Sequence, residues 1–79
     1  MTDYDIAIEV DARGAFCPGP MMELIKAIRQ AEVGEFIALL SSDEGTRVDV
    51  PAWIDKAKHE LTELINEDGF DRYIVKKLH

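Results

Sequence analysis

Asp11-Ala12-Arg13-Gly14-Ala15-Phe16-Cys17-Pro18-Gly19-Pro20 is the seam of this chain: an apolar strand pattern stops here, a helical pattern starts, and the only cysteine lies between them. Pro18 suits the first position of a helix, because its φ is already helical and its missing N–H has no helical partner to lose. Cys17 then falls at the N-cap. The partial positive charge of a helix N-terminus favours thiolate over thiol, which lowers the cysteine pKa and makes the sulfur nucleophilic near neutral pH. With Pro20 also in the first turn, Gly19 and Met21 supply the N–H groups that remain to face an anion. Arg13 and Gly14 precede the sulfur by four and three residues, which offers a nearby cation and a tight turn from strand to helix. A lone cysteine in a small domain is most often buried and inert. The Cys-Pro-Gly-Pro setting at a strand-to-helix turn favours a reactive one instead.

Upstream of the seam, Ile6-Ala7-Ile8-Glu9-Val10 alternates as a strand with Ile6, Ile8 and Val10 toward a core. Downstream, Met21, Leu24, Ile25, Ile28 and Ala31 recur at 3, 4, 7 and 10 residues from the first, the stripe of an amphipathic helix. Glu23, Lys26, Arg29 and Gln30 fall on its wet side. Met22 fits neither set and is either core filler or part of an apolar patch beside the cysteine where a partner docks. Gly34 ends the helix, and Phe36-Ile37-Ala38-Leu39-Leu40 reads as a central strand buried on both faces. A right-handed crossover makes the two strands parallel, and the helix start carrying Cys17 then lies at the carboxyl edge of the sheet, where open α/β folds place their sites. The loop from Ser41 to Arg47 leaves the second strand at that same edge, so Asp43, Thr46 and Arg47 are candidates for the wall of a cysteine site.

A second helix is expected to begin near Asp49 as N-cap, with Pro51 in its first turn and Trp53, Ile54, Ala57 and Leu61 at helical spacing. Periodicity would carry it through Leu64 and Ile65. Yet Leu61 to Glu67, Asp68-Gly69 and Phe70 to Leu78 also read as a hairpin, and pattern alone does not choose. Arg72 to Lys76 is a strand with Tyr73 and Val75 on one face.

The 79 residues allow one domain, spanning 1–79, with one core. Sixteen acidic against nine basic residues give a net charge of -7, which repels nucleic-acid phosphates and anionic membranes over most of the surface. General nucleic-acid binding is disfavoured. No apolar run is long enough to span a bilayer, and the acidic Met1 to Asp5 is unlike a signal peptide, so the expected location is the cytoplasm. One cysteine cannot form an internal disulfide, and Cys17 with His59 and His79 is a poor metal ligand set, so no metal site is expected.

Three chemistries fail on spacing. Gly14 and Gly19 match the opening of a phosphate-binding loop, but Pro20-Met21 stands where Lys-Ser or Lys-Thr is required. Pro20 occupies the second cysteine of a Cys-x-x-Cys dithiol. A Cys/His hydrolase would need His59 brought from far along the chain. A single activated thiol that accepts a group, holds it and passes it on survives, and sulfur is the natural cargo.

At these residues the sequence resembles the TusA (SirA-like) family of sulfur-carrier proteins. The resemblance rests on Cys17-Pro18-Gly19-Pro20 as the Cys-Pro-x-Pro motif and on the Asp11-to-Gly14 lead-in, and it covers nearly the whole chain. Supporting matches are Ser42 to Thr46, Asp49-Val50-Pro51, His59-Glu60-Leu61, Asp68-Gly69 and Arg72 to Lys76. It implies an α+β two-layer sandwich, βαβαββ, with a four-stranded mixed sheet and both helices on one face, and so favours the hairpin. The stretch between His59 and the Asp-Gly turn is one residue longer than the family pattern, which bears on the register of the third strand. The resemblance further implies a persulfide, carried over to Cys17 only; the reading of the residues themselves adds Arg13, Gly14, Pro18, Gly19, Pro20, Met21, Met22 and Asp43 as supporting or docking residues. Implied partners are sulfur-donor and sulfur-acceptor proteins such as a cysteine desulfurase, a rhodanese or a DsrE-like protein, met by a monomer that needs no cofactor. The chain would then act as a sulfurtransferase-type carrier without small-molecule turnover of its own, serving tRNA thiolation, molybdenum-cofactor supply or sulfur oxidation. The alternative is a non-catalytic regulatory or interaction module whose cysteine is structural or redox-sensing.

Overall fold

The computed structural model describes residues 5–16 and 19–79. Its elements run β1 (Ile6–Asp11), α1 (Gly19–Gln30), β2 (Phe36–Ser41), α2 (Thr46–Lys56), β3 (Glu60–Glu67) and β4 (Phe70–Lys76). The sheet order is β1-β2-β4-β3, with β1 parallel to β2 and the other two pairs antiparallel. Leu24, Ala27 and Ile28 of α1 and Val50 and Ile54 of α2 join Ile37, Leu39, Tyr73 and Val75 in one core cluster, so both helices cover the same face. This is the mixed-sheet βαβαββ sandwich expected from the resemblance, with the apolar run of β2 at its centre.

The other face has no helix over it, yet Ala38, Leu40 and Ile74 are buried there. Long cationic side chains lie across this face instead. Lys76 Nζ stands 5.8 Å from the Phe36 ring centre, Arg13 lies 4.9 Å over Phe70, and Arg72 reaches Glu9 at 3.7 Å.

Two expectations about the second half need correction. Helix α2 starts at Thr46, three residues before the Asp49 cap read from the sequence. Its entry is wound by backbone bonds: the Thr46 and Arg47 N–H groups donate to the Asp43 and Glu44 carbonyls, and those of Val48 and Asp49 donate to Gly45. Gly45 takes the N-cap position without a side-chain cap. Asp49 therefore sits in the first turn, where its charge complements the helix dipole, and Pro51 lies inside the helix. The helical spacing of Ala57 and Leu61 is equally misleading, because α2 ends at Lys56. Lys58 adopts φ 62 and donates its N–H to Asp55, while the His59 N–H closes back on the Ile54 carbonyl. That pair of bonds is a Schellman ending with lysine where glycine is usual.

The hairpin follows, turning at Asp68-Gly69 with Gly69 at φ 87. β3 carries a bulge: Leu61 pairs with Val75 and Glu63 with Ile74, leaving Thr62 without an opposite number. No helix among the described residues is long and apolar enough to cross a membrane.

Candidate functional site

Parallel pairing brings the carboxyl ends of β1 and β2 to one edge of the sheet, and α1 and α2 both begin there. The antiparallel β4 starts at the same edge, since Ser41 pairs with Asp71. The lead-in 12–16, the loop 42–45 and the Asp68-Gly69 turn therefore converge. Cys17 and Pro18, the expected N-cap and first helical residue, lie outside the described residues, and α1 is described from Gly19.

The lead-in is fixed amide by amide. Ala12 N–H donates to the Leu40 carbonyl at 2.8 Å, extending the β1–β2 ladder by one residue. Asp11 Oδ1 accepts from the Arg13 backbone N–H at 3.2 Å and from Nε at 2.8 Å, while Oδ2 meets Nη2 at 2.7 Å. These hydrogen bonds from Arg13, side chain first and backbone second, hold the Asp11 carboxyl at about 2, well below the usual carboxylate range. The Arg13 cation that the sequence suggested as support for the sulfur is thus shared with Asp11 and laid over Phe70. Gly14, at φ 87, donates its N–H to Ser42 Oγ at 2.9 Å, and Ala15 N–H returns to Ala12. The Gly19 N–H donates to the Phe16 carbonyl at 2.7 Å, which corrects the expectation that it faces an anion. Pro20 is fully buried and Met21 packs against the core, so the first turn of α1 is anchored from beneath.

The opposite loop is built on buried hydroxyls. Thr46 Oγ1 lies 2.6 Å from the Asp43 carbonyl, 3.1 Å from Ser41 Oγ and 3.0 Å from the Tyr73 hydroxyl. Thr46 has one proton to give, and the carbonyl can only accept, so Tyr73 donates to Thr46. Burial pushes the Tyr73 hydroxyl pKa above its ordinary value. Arg47 Nε donates to Asp71 Oδ2 at 2.6 Å, and this hydrogen bond raises the Arg47 pKa. Thr46 and Arg47, read as wall candidates, are therefore committed to holding α2 on β4. Asp43 does stand in the loop at this edge, with its N–H given to Ser41 Oγ and its Oδ1 accepting from Gly45.

Met22 is 62% exposed, which settles its alternatives against core filler. It lines a shallow concavity of about 430 Å³ on the outer side of α1 with Ile25, Lys26 and Arg29. Phe16 is 81% exposed and Val48 72%, so an apolar side chain stands out just before α1 and in the first turn of each helix. The sequence reading singled out neither Phe16 nor Val48. For Val48 the signal was available, because it lies off the stripe formed by Val50 and Ile54. No group of three or more His, Cys, Asp or Glu among the described residues is arranged to hold a metal ion.

A family profile described as Sulfurtransferase TusA matches residues 8–77. The chain belongs to the TusA family. A relative from Archaeoglobus fulgidus named putative sulfur carrier protein is 54% identical to this TusA-family chain over 71 residues, covering 90% of this chain and 97% of the relative. Sulfur carrier protein TusA of Pseudomonas putida is 31% identical over 77 residues, covering 98% and 96%. The crystal structure of a SirA-like protein from Desulfitobacterium hafniense superposes with a TM-score of 0.79 at 22% identity, covering 91% of this chain and 99% of that one, a likeness of fold.

Proposed function

We propose that this TusA-family chain is a sulfur carrier that accepts sulfane sulfur as a persulfide on Cys17 and relays it to an acceptor sulfurtransferase. The observation that supports the reading is the convergence of both helix starts, the lead-in and the 42–45 loop on one sheet edge, with the chain's only cysteine between Phe16 and Gly19 in sequence. In the loading step the Cys17 thiolate attacks the outer sulfur of a donor persulfide. A new S–S bond forms as the donor's breaks, and the donor leaves as thiolate with no net oxidation. Handover is the same displacement in reverse roles: an acceptor thiolate takes the outer sulfur and Cys17 is regenerated. With no second cysteine in the chain, the persulfide has no internal thiol with which to collapse into a disulfide.

Arg13, Gly14, Pro18, Gly19, Pro20 and Met21 shape the junction in this reading, and Met22 and Asp43 belong to the surface that meets donor and acceptor proteins. A cysteine desulfurase, a rhodanese or a DsrE-like protein fits those roles, with the chain acting as a cytoplasmic monomer. Mass spectrometry after incubation with a persulfide donor tests the proposal. Increments of one or more sulfur atoms on Cys17, absent from Cys17→Ser, are expected. An unmodified parent chain under conditions that load a known carrier overturns it, and an unloaded thiol that peroxide converts first to sulfenic acid marks a redox sensor instead.

A further inference from the structure

Among the described residues, the Gly14 N–H bond to Ser42 Oγ at 2.9 Å is the hydrogen bond that ties the lead-in to the loop across the site, joining positions 28 residues apart. The neighbouring amides bond within the lead-in or to the β2 backbone. Gly14 sits where the chain turns from strand to helix, at φ 87, with no heavy atom within 4 Å of the position a Cβ would take. Packing therefore does not hold this turn from that side. Ser42 offers a fixed anchor, because the preceding Ser41 is fully buried and its Oγ contacts Thr46 Oγ1 and accepts the Asp43 N–H.

We infer that Ser42 is a positioning residue for the Cys17 thiol: its hydroxyl straps the Gly14 turn to the β2–α2 loop and so fixes the lead-in from which the chain runs on to the cysteine. The inference rests on the reading of Cys17 as the sulfur-carrying residue. A hydroxyl adds no charge, so it acts by holding the lead-in in one place; a thiol kept at a helix start is favoured as the thiolate, and one free to leave it is not.

Ser42→Ala removes the acceptor and Ser42→Thr keeps it. Three measurements on the full chain distinguish them: hydrogen exchange of the Gly14 amide, the pH profile of Cys17 alkylation by iodoacetamide, and the rate of loading by inorganic polysulfide at pH 7. In Ser42→Ala, Gly14 exchange is expected to quicken about tenfold. The alkylation midpoint moves toward the ordinary thiol value of about 8.5, and loading slows about three- to tenfold. Ser42→Thr restores all three, and the melting temperature of each variant guards against simple unfolding. Alkylation and loading unchanged in Ser42→Ala overturn the inference, even if Gly14 exchange rises, because the strap is then structural only. If the parent takes up no sulfur, the carrier reading fails by itself; the alkylation midpoint of Ser42→Ala against parent still decides whether Ser42 positions the thiol.

Discussion

The Tyr73 hydroxyl meets Thr46 Oγ1 at 3.0 Å beneath the first turn of α2, a fully buried pair that fastens the loop of the candidate site to the sheet. Tyr73→Phe leaves the ring packing and deletes this donor, so urea denaturation should report a loss of about 1 kcal/mol without a change in m. The pH dependence has a definite sign. Burial raises the Tyr73 pKa in the fold, so above pH 10 the unfolded chain gives up that proton first and stability falls as pH rises. Tyr73→Phe should flatten this alkaline decline relative to the parent, and an identical slope in the two would contradict the buried donor.

Asp11 gives the opposite sign at the acid end. Its carboxyl is depressed to about 2 by the Arg13 hydrogen bonds, so the stabilisation is complete above the ordinary 3.8 and is lost as pH falls through about 2. The Asp11 carboxyl resonance followed by NMR should titrate near 2 in the parent. Arg13→Ala should return the midpoint to the ordinary carboxylate range.

His59 stacks on His79 with ring centres 4.6 Å apart, and its Nδ1 accepts the Leu78 N–H at 3.2 Å. Burial first, then the charges of His79 and Lys77, hold its pKa below 6.5. The neutral ring is the one the fold keeps, so its contribution is present above 6.5 and declines as pH falls through the depressed value. His79→Ala is expected to raise the His59 midpoint in an NMR titration. A midpoint that does not move would exclude His79 as a cause.

Lys58 carries a side chain in the left-handed region, at φ 62, for the sake of closing α2. Lys58→Gly relieves that conformation and should stabilise the chain by about 1 kcal/mol, read as a higher denaturation midpoint. Lys58→Val, β-branched at the same φ, should lower it.

That lysine also explains which parts of the fold could be read in advance. β1, α1 and β2 were legible because Ile6-Ile8-Val10 alternates, Met21 to Ala31 keeps helical spacing, and the run Phe36 to Leu40 is apolar on both sides. The end of α2 was not, since a helix stop is recognised by glycine and here Lys58 does the work. Its start was missed because Asp49 and Pro51 imitate a cap, whereas backbone turns through Gly45 begin the helix earlier. At the site, topology carried Arg13, Gly14 and Asp43 to the predicted edge. The destination of each polar group was invisible: Arg13 turns to Asp11 and Phe70, Thr46 turns inward to Tyr73, and Ser42 looks like any loop serine until Gly14 arrives beside it.

The uncovered side of the sheet carries a consequence for how such a domain behaves in a crowded solution. Arg13 and Lys76 are roofing there, not merely charge: they stand over the Phe70 and Phe36 rings, while Arg72 pairs with Glu9 beside them. A chain that is acidic in sum thus keeps one broad surface from sticking to other molecules by means of a few of its positive groups, and trimming those stems to alanine would cost colloidal stability before it cost folding.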